Sequence, residues 1–260
     1  MKQLILLQLL FFYFNGQAQK NGNTPLKMKG VYSMTYQMLN NGRADSVMGK
    51  QQLKIFTDKH VMFAGKISPT DSLAFFGVGT YRVVKDKVKE DFFYYANTGN
   101  TIDSATLSIT TIPKGYQQVI IYPAVNDTVF TLTEKYNKVG KAIPSPLDGA
   151  WKLKKSYLVN LKGDTLVRNY EEYKIYQNGY FMWGAGFKDS ATNNNKGFFG
   201  YGKFKFTGNK IIEINENTSF MTDLYLKPVA VDIKFLGKNE YMQVIKNPTA
   251  GKQVEIYQRM

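Results

Sequence analysis

The segment Phe75–Glu90, FFGVGTYRVVKDKVKE, returns later in the chain as Phe198–Glu213, FFGYGKFKFTGNKIIE. Six of the sixteen positions are identical, and the two copies lie 123 residues apart. A solenoid repeat has a period of about 20 to 50 residues, whereas this spacing is the length of a whole small domain. The segment therefore predicts two homologous domains in tandem.

Both halves have the pattern of β-strands throughout. Aromatic and β-branched residues alternate with polar ones, and turn signals recur at intervals of roughly 8 to 14 residues. Asn178-Gly179 and Gly208-Asn209 predict two-residue hairpin turns, the first of type I′, which needs positive φ at both central positions. The second half is expected to contain strands at 150–160, 165–177, 180–187, 197–206, 210–217, 229–236, 240–246 and 253–259, and a short helix within 218–228. The first half is expected to contain them at 28–38, 46–57, 60–67, 72–84, 87–96, 105–112, 116–122 and 128–136.

These strands predict an all-β protein made of two tandem eight-stranded antiparallel barrels. Closing a meander of eight strands removes its unpaired edges. The alternative is a pair of β-sandwiches, which need longer crossing connections. The stretch 140–149 contains two prolines and two glycines and is typical of a short linker. We expect barrel 1 at 24–139, a linker at 140–148 and barrel 2 at 149–260.

The N-terminal residues 1–18 have the features of a signal peptide. Lys2 precedes the apolar run Leu4–Phe14, and Gly16-Gln17-Ala18 predicts cleavage after Ala18. The alternative is an uncleaved anchor, but the run is short for a spanning helix of about 20 residues. The chain has no cysteine, which excludes disulfides and an N-terminal cysteine lipid anchor. We expect a periplasmic or secreted protein without a transmembrane segment in the mature chain.

The formal net charge of +14 suggests a nucleic-acid or anionic-surface partner. The lysines, however, alternate with apolar residues along strands, as Lys203 and Lys205 do, and form no block. The pattern favours the solvated face of a sheet and no nucleic-acid partner. Attraction to an anionic envelope surface is the weaker alternative.

Each half also carries the same short motifs in the same order. Gly30-Val31-Tyr32 and Gly149-Ala150-Trp151 open the halves, and Lys54-Ile55-Phe56 and Lys174-Ile175-Tyr176 follow before the repeated segment. The chain resembles the bacterial lipocalin-like domain, a calycin-type barrel of exported Bacteroidota proteins. Tyr32 departs from the glycine-x-tryptophan motif of calycins. The resemblance covers nearly all of both halves and implies a fold and an exported location rather than a function.

The residue types argue against familiar catalytic sites. A single histidine, His60, and the absence of cysteine leave no nucleophile–base set and no His/Cys zinc site. Gly77-x-Gly79 and its copy lie inside predicted strands rather than before a helix, so they are not a phosphate loop. Glu171 and Glu172 are adjacent and point to opposite faces. We expect no enzyme activity, no cofactor and no metal.

Glu90 and Glu213 are the most suggestive polar residues. Counting outward from the hairpin turn places Glu213 on the same face as Phe204, and Glu90 on the same face as Tyr81. A carboxylate among apolar residues must be paired, hydrogen-bonded or protonated. One hypothesis makes both glutamates polar anchors in a ligand cavity. The other pairs them with an inward lysine or arginine, such as Arg168 or Lys174, or places them near the barrel mouth. The full set of cavity candidates is Glu90, Glu213, Tyr32, Trp151, Phe63, Trp183, Phe204 and Tyr81.

The leading functional hypothesis is a non-enzymatic envelope protein that binds a small apolar or amphipathic ligand inside one or both barrels. The alternative is a structural or protein-interaction module whose barrels are filled with side chains. A cavity of several hundred Å³ would favour ligand binding.

Overall fold

The structure is a computed structural model that describes residues 26–42, 45–47, 51–66, 74–96, 104–219 and 222–260. The predicted signal peptide lies outside these residues.

Barrel 1 consists of β1 Gly30–Asn40, β2 Asp45–Val47, β3 Gln51–Phe56, β4 His60–Lys66, β5 Ala74–Val84, β6 Lys87–Ala96, β7 Ser104–Ile112, β8 Gly115–Ile121 and β9 Thr131–Val139. Barrel 2 consists of β10 Gly149–Val159, β11 Thr165–Val167, β12 Glu171–Gln177, β13 Tyr180–Lys188, β14 Asn195–Thr207, β15 Lys210–Thr218, β16 Pro228–Gly237, β17 Glu240–Asn247 and β18 Gly251–Arg259, with a 3-10 helix at Thr222–Leu224 before β16.

Each half is a closed antiparallel meander. In barrel 1, β1 pairs with β3 on one side and with the last strand β9 on the other, and β10 likewise pairs with β12 and β18. Eight strands close each barrel, because β2 and β11 are three-residue extensions that pair only with β1 and β10. The predicted fold class is confirmed.

The predicted hairpin turns form as their residues require. Asn178 and Gly179 have φ of 54° and 77°, both in the left-handed region that a type I′ turn needs. Gly208 has φ of 69°, and Thr207 pairs with Lys210 around it. These turns fix the register of the repeated segment, so the alternation predicted for its side chains holds.

The predicted strand at 165–177 is divided into β11 and β12, and that at 46–57 contains β2 and β3, with residues 48–50 outside the described part of the chain. β10 pairs with β12 only through Gly149–Lys152, and its register shifts between Leu153 and Lys155 before it pairs with β11. The backbone of Arg168 donates a hydrogen bond to the Ser156 carbonyl at 3.0 Å, which continues the register of β11, and the ladder with β10 resumes only at Tyr173. This gap between the two ladders interrupts the predicted strand.

The two barrels pack against each other through an apolar core between them. Equivalent outward-facing residues meet there, including Ile55 with Ile175 and Met62 with Met182, all essentially without solvent exposure. Phe76 approaches the backbone of barrel 2 so closely that a Cβ at Gly184 would lie 2.6 Å from its ring. Glycine at this position of β13 therefore permits the docking.

The docked core yields a prediction for Phe76, which is fully buried in it. We expect Phe76→Ala to lower the free energy of unfolding by about 3–5 kcal/mol, because it leaves a cavity between the barrels. Urea denaturation followed by circular dichroism measures this loss. Val84→Ala, on the same strand but 54% exposed, is the control and should cost less than about 1 kcal/mol. Equal, small losses for both variants would contradict the docking.

Candidate functional site

A buried ion pair lies inside each barrel at equivalent positions. Lys54 Nζ lies 2.7 Å from Glu90 Oε1 in barrel 1, and Lys174 Nζ lies 2.8 Å from Glu213 Oε1 in barrel 2. All four side chains are buried. Strands β3 and β12 supply the lysines, while β6 and β15 supply the glutamates. Both predicted inward glutamates thus have a lysine partner, as the second hypothesis for these residues required.

Aromatic rings surround each buried ammonium. Lys54 Nζ lies 5.3 Å from the ring centre of Phe56 and 5.7 Å from that of Phe63. Lys174 repeats these distances with Tyr176 and Phe181. Cation–π attraction therefore adds to the ion pair in stabilising a lysine that has lost its water.

A second buried glutamate extends the cluster in barrel 1. Glu134 accepts hydrogen bonds from Gln37 Nε2 at 2.5 Å, from Gln118 Nε2 at 2.5 Å and from Tyr136 OH at 2.9 Å. The amide oxygen of the same side chain, Gln118 Oε1, accepts a hydrogen bond from Lys54 Nζ at 3.5 Å. Gln118 thus joins the ion pair to Glu134, and the interior polar groups form one connected network.

Barrel 2 repeats this network with one additional carboxylate. Glu255 accepts from Gln243 Nε2 at 2.5 Å and from Tyr257 OH at 3.0 Å, and Lys174 Nζ donates to Gln243 Oε1 at 3.3 Å. In barrel 1, Gln52 donates a hydrogen bond to Tyr136 OH at 2.6 Å. The equivalent residue of barrel 2 is Glu172, which forms a hydrogen bond with Tyr257 OH. Among the described residues, barrel 1 therefore encloses two carboxylates and one ammonium, and barrel 2 encloses three carboxylates and one ammonium.

The additional carboxylate changes the protonation of barrel 2. Burial, together with the nearby Glu255, raises the pKa of Glu172 from 4.5 to about 8. A tyrosine hydroxyl has a single proton to donate, and Tyr257 OH contacts both carboxyl groups. A protonated Glu172 supplies the missing hydrogen, so barrel 2 holds a neutral acid at neutral pH. In barrel 1, burial raises the pKa of Glu90, and the neighbouring Lys54 opposes this rise.

A cavity of about 100 Å³ lies above the ion pair in barrel 1. Its floor contains Lys54, Glu90, Gln118 and Glu134. Its walls are mainly aromatic and aliphatic, and they comprise Phe63, Phe75, Phe92, Tyr95, Tyr122, Ile120, Leu132 and Ala105, with Gln52 beside them. Many of these residues lie at the ends of strands on one side, so the cavity leads toward the end of the barrel where β6 and β8 finish.

The candidate residues from the sequence fall into two groups. Glu90 and Phe63 line the cavity of barrel 1, and Glu213 occupies the equivalent place in barrel 2 beside its lysine. Trp183 is a partly buried interior residue that packs against the core of barrel 2. The remaining four, Tyr32, Tyr81, Trp151 and Phe204, pack in the barrel cores at the other end.

Trp151 illustrates this second group. Its Nε1 donates to the carbonyl of Leu147 at 2.8 Å, and the Arg259 guanidinium lies 4.1 Å from its ring centre. Tyr32 occupies the same position in barrel 1, where its ring meets that of Tyr116 at 4.9 Å. These rings close the base of each barrel rather than line a cavity.

The described residues contain no group of three or more His, Cys, Asp and Glu side chains arranged for a metal ion. His60 lies at the start of β4, where its backbone donates to Thr57 Oγ1 at 3.0 Å, and burial lowers the pKa of its imidazole. Within the same part of the chain, no helix has the length and apolarity needed to cross a membrane.

Known structures with similar folds include a lipocalin-like protein from Bacteroides uniformis ATCC 8492. It is 15% identical, with a TM-score of 0.30 over 45% of this chain and 100% of its own. A protein of unknown function from the DUF3598 family of Nostoc punctiforme PCC 73102 is 9% identical, with a TM-score of 0.29 over 89% of this chain and 96% of its own. No protein-family model and no curated protein matches the chain. The two closed eight-stranded antiparallel barrels themselves define a lipocalin-like double-barrel protein.

The buried ion pair of barrel 1 gives a prediction for stability. Lys54→Met leaves Glu90 buried without its cation, and we expect a loss of about 3–5 kcal/mol in the free energy of unfolding. Adding Glu90→Leu removes the unpaired carboxylate, so the double variant should recover much of that loss. Urea denaturation of both single variants and the double variant completes the cycle. Strictly additive losses would show that the two groups are not coupled.

The raised pKa of Glu172 predicts how stability depends on pH. Between about pH 4.5 and about pH 8, the folded state binds a proton that the unfolded state has released. The free energy of unfolding therefore decreases as pH rises through this window. Glu172→Gln removes the titrating group and restores the amide found at Gln52. As pH rises across the window, we expect the free energy of unfolding of Glu172→Gln to increase by a few kcal/mol relative to that of the wild type.

Urea denaturation at about pH 5, 7 and 9 measures this trend. Glu171→Gln is the matched control, because Glu171 is the exposed neighbour on the same strand. A trend of the same size in the control, or a pH-independent difference for Glu172→Gln, would contradict the assignment.

Proposed function

We propose that the protein is an exported, non-enzymatic binding protein whose first barrel holds the end of a small amphipathic ligand. The observation that carries this proposal is the cavity of barrel 1, which sets an aromatic wall above a charged floor. Ligand sites set a few placed polar groups against apolar surface, and this cavity joins aromatic walls to a polar floor. Its volume of about 100 Å³ is below the several hundred Å³ of a full small-molecule site, so it suits only the end of a ligand.

The size and charge of the cavity restrict the ligand. A cavity of about 150 Å³ can hold a benzene molecule, and the cavity of barrel 1 is about 100 Å³. Only a few heavy atoms can lie beside the ion pair, and the rest of the ligand would extend toward the end of the barrel where β6 and β8 finish. The floor has two carboxylates and one ammonium, so it favours a ligand end that donates hydrogen bonds or carries positive charge. An amine or hydroxyl on an apolar body fits these conditions better than a fatty acid.

Export and the lack of enzyme activity are parts of the same proposal. The signal-like residues 1–18 and the absence of cysteine support export to the periplasm or beyond. The single histidine lies at the start of β4, outside the cavity lining. A carboxylate that already accepts three hydrogen bonds, as Glu134 does, is poorly placed to act as a base.

Barrel 2 favours the alternative of a structural module. Gln253 and Asn215 occupy the positions of Leu132 and Phe92, so two apolar residues that line the cavity of barrel 1 are replaced by amides. Gln253 donates to Tyr170 OH at 3.1 Å, and that hydroxyl reaches Glu255 at 2.8 Å. This interior is occupied by its own hydrogen-bond network.

The proposal predicts selective binding in barrel 1 among three probes of similar size. We expect benzylamine and benzyl alcohol to bind more tightly than benzoate, because the carboxylates of the floor repel an anion. Isothermal titration calorimetry on the full chain measures the affinities. Absence of saturable binding for all three probes, or preference for benzoate, would contradict the proposal.

A pair of variants places the binding in barrel 1. Ala105→Leu narrows the cavity and should weaken binding by at least tenfold. Val229 of barrel 2 pairs with Glu213 as Ala105 pairs with Glu90, so Val229→Leu is the matched control. It should leave the affinity within about twofold of the wild type. The reverse result would place the ligand elsewhere.

A further inference from the structure

Barrel 2 has a cleft where β10 separates from β12. The ladder between them ends at Lys152, and β12 begins only at Glu171, so the segment 168–170 crosses the gap. The cleft has a volume of about 610 Å³ and is bounded by β10, this segment and the end of β13. That volume lies in the range of small-molecule sites, about 300–1,000 Å³.

The cleft carries an excess of positive charge. Its lining contains four cations, Lys154, Lys155, Arg168 and Lys188, and one carboxylate, that of Glu171. Lys154 pairs with Glu240 at 3.0 Å, and Glu171 pairs with Lys152 at 3.4 Å, so both are already matched. Lys155, Arg168 and Lys188 form no ion pair with any carboxylate in the described part of the chain.

The structure holds one of these cations in place. The Arg168 guanidinium lies 5.3 Å from the ring centre of Tyr170, and its backbone is bonded to Ser156. Tyr170 is itself fixed from the barrel interior, because its hydroxyl donates to Glu255 at 2.8 Å and lies 3.3 Å from Ser156 Oγ. Arg168 is therefore packed against a tyrosine that the barrel interior holds in place.

Apolar surface lies beside these cations. Val167 and Phe187 line the cleft and are 58% and 49% exposed, and Leu153 and Tyr157 complete the wall. Exposed apolar side chains beside unpaired cations complement a molecule that has an anionic group and an apolar body. A guanidinium can also bind a carboxylate, phosphate or sulfate through two hydrogen bonds.

We propose that this cleft is a binding site for an organic anion, with its charged group held by Lys155, Arg168 and Lys188 and its apolar body against Val167 and Phe187. The site is independent of the ligand proposed for barrel 1, since the charge of its lining is opposite. The anionic group belongs either to a soluble molecule or to the headgroup of a lipid.

Calorimetry at low ionic strength with three soluble probes tests the proposal. We expect 2-naphthyl phosphate to bind with one-to-one stoichiometry. 2-Naphthol lacks the anionic group and inorganic phosphate lacks the apolar body, so both should bind at least tenfold more weakly.

A second experiment compares vesicles of phosphatidylglycerol with vesicles of phosphatidylcholine by co-sedimentation. Binding of the phosphatidylglycerol vesicles without binding of 2-naphthyl phosphate would identify the lipid headgroup as the source. Binding of neither would overturn the proposal.

A triple variant, Lys155→Gln with Arg168→Gln and Lys188→Gln, locates the binding. We expect it to lose at least tenfold in affinity for 2-naphthyl phosphate, or for the vesicles. The control carries Lys205→Gln, Lys234→Gln and Lys252→Gln, three exposed lysines outside the cleft with no described ion pair. It makes the same change in net charge and should stay within twofold of the wild type. An equal loss of affinity in both variants would show that binding depends only on net charge, and it would overturn the proposed site.

Discussion

The buried lysine–glutamate pair is the interaction on which each barrel interior depends. A lysine without solvent must have an anionic partner, and the desolvated carboxylate in turn needs its cation. This requirement places Lys54 opposite Glu90 across the interior, and Lys174 opposite Glu213. Each lysine is then linked through a glutamine to a second glutamate, which binds a tyrosine. These linked charges and hydrogen bonds would be lost if a strand slipped by one residue, so they favour a single register.

The sequence predicted the duplication, the closed barrels and the inward glutamates, because all three rest on local patterns. It named Lys174 only as one possible inward partner and did not identify Lys54 as inward. In Leu53-Lys54-Ile55, alternation alone suggests apolar residues inside and a solvated lysine outside. The structure has the opposite arrangement, since Leu53 and Ile55 lie in the core between the barrels and Lys54 lies within barrel 1. A strand buried on both faces cannot be assigned from alternation, because the covering domain is not visible in the pattern.

The missed members of the site do follow the alternation of their strands. Glu134 lies between the buried Leu132 and Tyr136, and Gln118 lies two residues after the buried Tyr116. A polar side chain at such a position is ambiguous by itself, but a second signal was present. Glu134-Lys135-Tyr136 and Glu255-Ile256-Tyr257 have the same spacing in the two halves. A polar residue retained at matching positions of an internal repeat has a stronger claim to the interior than alternation can give it.

Duplication also explains how two barrels with the same polar network differ in what they enclose. The exchange of Gln52 for Glu172 adds a carboxyl group, while Leu132 and Phe92 give way to Gln253 and Asn215. Barrel 1 keeps an apolar cavity above its ion pair, whereas barrel 2 fills the corresponding space with hydrogen bonds that extend to Tyr170.

Tyr170 connects that interior network to the outer surface. It reaches inward only because β10 and β12 have separated, and this separation also forms the cationic cleft. The additional polarity of barrel 2 and its outer cleft thus have one structural origin. A change that rejoined β12 to β10 would remove both features, while the closed barrel and its lysine–glutamate pair would remain.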